Sequence, residues 1–249
     1  MREWILGRNP VYETLRAGRR QAFRLQIAQG VQEKGQLAEA LKLSMQRKLA
    51  IERVPRRQLD SLGDGHQGVA LEASAYPYSN LSDMLDLAGR RGEPPFFLVL
   101  DALQDPQNLG TLLRTAEIVG VHGALLPYRR TATVTPAVVG ASSGASEHLL
   151  IAQTNLAQAI ATLKEQDVWV IGLESGPEAQ PPEKVRLDGA LALVVGNEGQ
   201  GMRLLVRESC DLLLRLPMRG QVDSLNAAVA GSIGLYLAWQ ARNYAGKRQ

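Results

Sequence analysis

The chain has 249 residues, 45% hydrophobic and 21% charged. It is too apolar for a disordered polymer and holds no run near the roughly 18 apolar residues of a membrane-spanning helix. One cysteine, Cys210, and three widely spaced histidines exclude an intrachain disulfide and a zinc finger or ribbon. A reducing cytoplasm is therefore expected, and MREWILGRNP lacks the apolar centre of a secretion signal. The net charge of +3 divides sharply: residues 1–57 hold 13 Lys and Arg against 5 Asp and Glu, and the remainder 15 against 20. A basic module joined to an acidic one points to an anionic polymer as partner, because neutralising phosphates releases counterions. A solvated arginine-rich surface is the plainer alternative. With aromatics at 5%, a base-stacking platform is not expected.

Residues 1–75 read as a small α/β unit. Asn9-Pro10 introduces a helix over Val11–Ala17, Phe23–Ala28 alternates like a strand, and Gln32–Gln46 has apolar residues at helical spacing. Leu49–Val54 and Val69–Ala73 are further strands. Residues 76–95 hold a helix-like stretch at Leu81–Ala88 and then Gly89-Arg90-Arg91-Gly92-Glu93-Pro94-Pro95, which reads as a linker. From Phe96 the pattern changes to continuous apolar runs, as in buried parallel strands: Phe96–Leu100, Ala124–Leu126, Val168–Leu173, Leu191–Val195 and Leu212–Leu216. Helical patterns lie between them at Gly110–Val119, Leu156–Lys164 and Gln200–Arg207, and Leu225–Ala241 is a long final helix. This alternation predicts a mostly parallel sheet in a second domain, residues 96–249.

Several motifs match a pattern without its context. Gly63, Gly65 and Gly68 satisfy the dinucleotide fingerprint, but a strand follows where a helix is needed. Gly140-Ala141-Ser142-Ser143-Gly144 satisfies the nucleophile elbow, yet the one later histidine, His148, has only Glu147 before it as an acid, far too close for a hydrolase triad.

Three segments after strand ends carry the chemistry. The first, Asp101 to Glu117, is a polar proline turn entering a helix, with Asn108 near the helix start and Arg114 six residues on. The second is Gly196-Asn197-Glu198-Gly199-Gln200-Gly201, where glycines admit a ligand to the backbone and a carboxylate sits among them. The third runs from Pro217 to Ala228, with Ser224 and Asn226 at the mouth of a helix rich in small residues. A capping Asn108 or Ser224 and a tight turn are the bland readings. Ligands of open α/β sheets bind beyond the carboxyl ends of strands, so convergence of the three is expected.

In order and spacing, the cores N-L-G…R-T-A, G-N-E-G-Q-G and L-P-M…S-L-N-A-A resemble the signature motifs of the SpoU/TrmH branch of the SPOUT RNA 2′-O-methyltransferases, over residues 96 to about 243. Leu6 to Val11 and His66 to Ala70 resemble that family's L30e-like RNA substrate-binding domain. The two-domain pattern is most similar to the bacterial enzymes that methylate a guanosine 2′-hydroxyl in the peptidyl-transferase P loop of 23S rRNA. The resemblance implies S-adenosylmethionine as cofactor, a trefoil knot, a homodimer, and 23S rRNA or a pre-ribosomal particle as substrate. It also implies Arg114, Asn108, Glu198, Ser224 and Asn226 as catalytic residues, with Gly196, Asn197, Leu216, Met218 and Leu225 holding the cofactor. It implies that Ser142, Ser143 and Glu147 line the site. A tRNA methyltransferase of the same branch, a non-catalytic RNA-binding protein on a methyltransferase fold, and a small-molecule alkyl transferase are the rival readings.

Overall fold

A computed structural model describes residues 1–222 and 224–247. The chain begins with β1 (Arg2–Leu6), α1 (Arg8–Ala17), β2 (Ala22–Ala28), α2 (Gln36–Gln46), β3 (Ala50–Val54), α3 (Arg56–Asp60) and β4 (Val69–Ser74). There follow α4 (Leu81–Arg91), β5 (Phe96–Leu100), α5 (Pro106–Ile118), β6 (Gly123–Pro127), α6 (Pro136–Ala141) and a 3₁₀ turn at Ala145–His148. The rest comprises β7 (Leu150–Thr154), α7 (Leu156–Glu165), β8 (Trp169–Leu173), β9 (Leu191–Val195), α8 (Leu204–Ser209), β10 (Leu212–Leu214) and α9 (Ala227–Ala241). No described helix is long and apolar enough to cross a membrane.

These elements form two compact units, Met1–Pro77 with Thr133–His148, and Tyr78–Ala132 with Leu149–Gln249. The division corrects the expected boundaries twice. Residues 76–95 are not simply a linker: α4 has a reciprocal cap between Asn80 and Asp83, and its Met84 is fully buried in the core of the second unit. Conversely, residues 133–148 fold with the first unit although the chain enters and leaves them from the second.

In the first unit the strands lie in the order β1-β4-β2-β3, with β2 and β3 parallel and the other pairs antiparallel. β1, α3 and α6 carry no clear period in the sequence and become legible only in the fold. Helix α1 starts at Arg8 with Gly7 at its N-cap, so Asn9 lies inside the helix and does not introduce it. The segment 133–148 is bound by a buried clamp. The Arg20 guanidinium donates through Nε to both Glu147 oxygens (3.1 and 3.0 Å) and through Nη1 to Glu3 (2.7 Å) and the Ser74 carbonyl (2.9 Å). Both Arg20 and Glu147 side chains are fully buried. Gly144, at φ +87°, lies against α1 so closely that an added Cβ would sit 2.6 Å from Glu13 Cβ and 3.3 Å from Pro10 Cα. Ser142 is buried and donates to the Val139 carbonyl and to Ser146 Oγ. Both the Ser142 and the Glu147 side chains are engaged in bonds within the first unit, to which Ser143 also belongs.

In the second unit six strands run in the order β10-β8-β9-β5-β6-β7, and every pair is parallel. β7 was not apparent from the sequence. One face of the sheet, with Phe97, Val99, Leu125, Val170, Ala192 and Val194, joins residues of α4, α7 and α8 in a single buried cluster. The other face receives α9, which also packs on α5. Small residues permit that approach, since a Cβ at Gly231 would meet Leu112 at 2.5 Å.

Removing one partner of a buried ion pair leaves an uncompensated charge in a medium that solvates it poorly, at a cost of about 3–5 kcal/mol. Arg20→Met is expected to destabilise the first unit on that scale, with Arg20→Met/Glu147→Gln less affected than the single variant. Urea denaturation of the three proteins checks it; equal midpoints for Arg20→Met and wild type would remove the clamp from the account.

Candidate functional site

The strand order reverses more than once. From β5 the chain winds outward to β6 and β7, crosses to β8, returns inward to place β9 between β8 and β5, and reverses again to put β10 at the edge beyond β8. A parallel sheet opens a crevice beyond its carboxyl ends where such a reversal occurs. A cleft of about 370 Å³ lies there, lined by residues that follow β8, β9 and β10 and by the start of α9. That volume falls in the range of small-molecule pockets.

Every expected cofactor residue borders this cleft: Gly196, Asn197, Leu216, Met218 and Leu225, together with Glu198 and Ser224 of the expected catalytic set. The sequence had not pointed to Leu173, Glu174 and Ser175, which also line it. They follow β8, and the strand-end rule applied to that strand would have found them. Glu174 is held by Arg207, whose Nε donates to its two oxygens at 3.1 and 2.9 Å.

The loop after β9 is longer than expected, because α8 starts at Leu204 and not near Gln200. Asn197 and Gly201 exchange both backbone hydrogen bonds, folding the loop into a tight hairpin. Gly196 lies so near the return strand that a Cβ would fall 2.3 Å from the Gly201 carbonyl carbon, which excludes every other residue. The Asn197 amide is used within this scaffold: Nδ2 donates to the Ala102 carbonyl (3.0 Å) and Oδ1 accepts from Gly199 N–H (2.9 Å). Its side chain and its backbone both shape the loop, since its N–H and carbonyl are paired with Gly201.

A second tie escaped the sequence reading. Asp101, the residue after β5, is fully buried. Its carboxylate accepts from Arg203 backbone N–H (2.7 Å) and Nε (2.7 Å), and Arg203 Nη2 lies 2.6 Å away. A charge buried in this way is tolerated because each oxygen is paired and hydrogen-bonded. The glycine loop is thus clasped to the loop after β5 at both of its ends.

At the rim, Glu198 Oε1 accepts from Asn108 Nδ2 at 2.6 Å and from Asn226 Nδ2, and Asn226 Nδ2 also reaches Asn108 Oδ1 at 3.2 Å. Local structure explains why both amides are available. Asp105 caps α5, accepting from Gln107 and Asn108 N–H, so Asn108 is released from the capping role. Asn226, not Ser224, caps α9: its Oδ1 accepts from Ala228 N–H (2.9 Å) and Val229 N–H (3.2 Å). With Oδ1 committed, its Nδ2 must face Glu198. Ser224 is exposed in the loop before the cap, and the neighbouring Asp223 lies outside the described residues. Arg114 stands on α5, exposed, and is not among the residues lining the cleft. Among the described residues no group of three or more His, Cys, Asp or Glu side chains is placed to hold a metal ion.

Two family profiles match the chain: the SpoU rRNA Methylase family over residues 95–236, and RNA 2′-O ribose methyltransferase substrate binding over residues 4–79. A Bacillus subtilis protein, YacO, named as a TrmH family tRNA/rRNA methyltransferase, is 42% identical over 250 positions covering 98% of each chain. The SpoU methyltransferase AviRb of Streptomyces viridochromogenes, solved with AdoMet, superimposes with a TM-score of 0.80 at 19% identity, over 98% of this chain and 92% of that one. An AdoMet-bound rRNA methyltransferase of Sinorhizobium meliloti gives 0.78 at 23% identity, over 96% and 87%. At these identities the structural likeness is one of fold.

Asn226→Asp separates the two jobs of that residue. Aspartate caps a helix as well as asparagine does, but it sets a second carboxylate against Glu198. Like charges raise a carboxyl pKa in the folded state, so the folded protein holds more protons than the unfolded one and stability falls as pH rises. The variant is expected to approach wild-type stability near pH 4 and to fall behind it by pH 7. Parallel urea titrations at the two pH values that show no widening gap would contradict the contact.

Proposed function

We propose a reaction for this chain, which belongs to the SpoU rRNA methylase family: transfer of a methyl group from S-adenosylmethionine to the 2′-hydroxyl of a guanosine ribose in 23S rRNA. The observation that carries the reading is the Glu198 carboxylate joining Asn108 and Asn226 at the rim of a cleft built from strand-end loops.

The cleft suits such a donor. Val195, Leu216, Leu225, Ala227 and Ala230 offer apolar surface for an adenine ring, while Glu174, Ser175 and the backbone around Gly196 offer polar groups for the ribose and amino-acid ends. When bound, S-adenosylmethionine supplies an electrophilic methyl group. The chain must make a ribose hydroxyl nucleophilic beside it. Arginine stays protonated in proteins, so Arg114 serves as a fixed positive charge that stabilises negative charge on the 2′-oxygen as its proton passes to solvent water, and supports the adjacent phosphate. Glu198, Asn108 and Asn226 hold the rim in one arrangement, and Ser224 adds a hydroxyl beside them.

The basic first unit is the substrate-binding module in this reading. The substrate-binding profile over residues 4–79 supports it, as does the excess of basic residues before residue 58. A homodimer belongs to the same reading. Its support is the exposed apolar face of α9, where Val229, Ile233 and Tyr236 follow one another at helical spacing with Ile118 of α5 also exposed. So does the trefoil knot, supported by a path that runs out to β10 at the sheet edge and returns to lay α9 on β9 and α5. The reaction is placed in the cytoplasm, with naked 23S rRNA or an assembling particle as substrate.

The test supplies labelled methyl donor with purified 23S rRNA and, separately, with bulk tRNA, and maps the labelled nucleotide. Wild type should label a guanosine ribose in 23S rRNA. Arg114→Ala should lose that transfer while binding the donor in a calorimeter as wild type does. Labelling of tRNA alone would replace the substrate, and transfer by Arg114→Ala at the wild-type rate would remove its role.

A further inference from the structure

One loop at the carboxyl edge of the second unit's sheet is not used by the reaction above. β6 ends at Pro127, and Tyr128, Arg129 and Arg130 follow, all exposed. Tyr128 has 68% of its surface in solvent. Among the described residues neither arginine is in an ion pair.

This loop is held firmly. Arg130 adopts φ +59°, a left-handed conformation that a side-chain-bearing residue enters at some cost. Directly after it, Thr131 Oγ1 (2.9 Å) and Ala132 N–H (2.7 Å) both donate to the Leu103 carbonyl, in the loop that follows β5. The loop that leads from β5 into α5 thus anchors the loop bearing the tyrosine and the two arginines.

Strand order places this loop on a definite side. The donor cleft lies under the loops after β8, β9 and β10. Asn108 and Arg114 follow β5, and β6 is the next strand beyond it. The Tyr128–Arg130 loop therefore flanks β5 on the side away from the donor. A polymer whose sugar is presented between the cleft and α5 has a path outward over that side.

We propose that Tyr128, Arg129 and Arg130 grip the RNA strand next to the methylated nucleotide. The two guanidinium groups neutralise backbone phosphates, and the phenol ring stacks on an adjacent unpaired base. One ring of this kind is a clamp on a single base, not a stacking platform. The assignment rests on RNA being the substrate.

The experiment measures binding of a 23S rRNA transcript across a salt series, with S-adenosylmethionine binding followed separately by calorimetry. Arg129→Ala/Arg130→Ala should weaken RNA binding and make the salt slope shallower by about 1.4, at about 0.7 per phosphate contact on a single strand. Tyr128→Ala should weaken binding about 5- to 150-fold, the range for loss of one stacked base, and Tyr128→Phe should restore it. Donor binding should be unchanged in all three. Wild-type RNA affinity and slope in the double arginine variant, or loss of donor binding along with RNA binding, would overturn the proposal. Failure of the unsubstituted chain to bind the transcript would instead strike at the RNA reading itself.

Discussion

A single carboxylate oxygen organises the candidate site. Glu198 Oε1 receives an amide from Asn108 and another from Asn226, residues that lie 90 and 28 positions away along the chain. Hydrogen bonds to an ionised acceptor are shorter and stronger than neutral ones. Here they also bring three strand-end loops to one point. Each amide is free for the purpose only because another group does its local work. Asp105 caps α5 in place of Asn108, and Asn226 caps α9 with its oxygen while turning its nitrogen outward.

Beneath that contact the loops are tied a second time. The buried Asp101 carboxylate holds Arg203, and the Asn197 amide holds Ala102. A glycine-rich loop has high conformational entropy when free, so a hairpin of this composition keeps its shape only where such bonds remove the alternatives. Gly196 contributes by lacking a side chain, since the returning backbone occupies the place of its Cβ. The glycines thus serve the loop's own fold as much as any ligand's approach.

The first unit shows how misleading chain order can be. Residues 133–148 are flanked on both sides by the second unit, and their Gly-x-Ser-x-Gly pattern imitates a hydrolase elbow. In the fold they carry the carboxylate that pairs with Arg20, and the second glycine of the pattern marks a close approach to α1. No local property of the segment announces this. The partner lies 127 positions away, and an ion pair at such separation leaves no periodicity in either neighbourhood.

What the sequence by itself determined was the parallel sheet of the second unit, through apolar runs such as Phe96–Leu100 and Leu191–Val195, and the three polar segments that follow strand ends. These are local properties, since burial on both faces requires an unbroken apolar run and a strand-to-helix turn requires polar and small residues. The tertiary structure alone decided which residues cap, which clasp and which face the cleft. Asn108, Asn197 and Asn226 carry the same amide, yet each is committed by whichever donors and acceptors the fold sets within about 3 Å. It likewise decided that α4 belongs to the second core and that residues 133–148 belong to the first unit. Those outcomes depend on contacts between distant segments, and no window of sequence contains both partners.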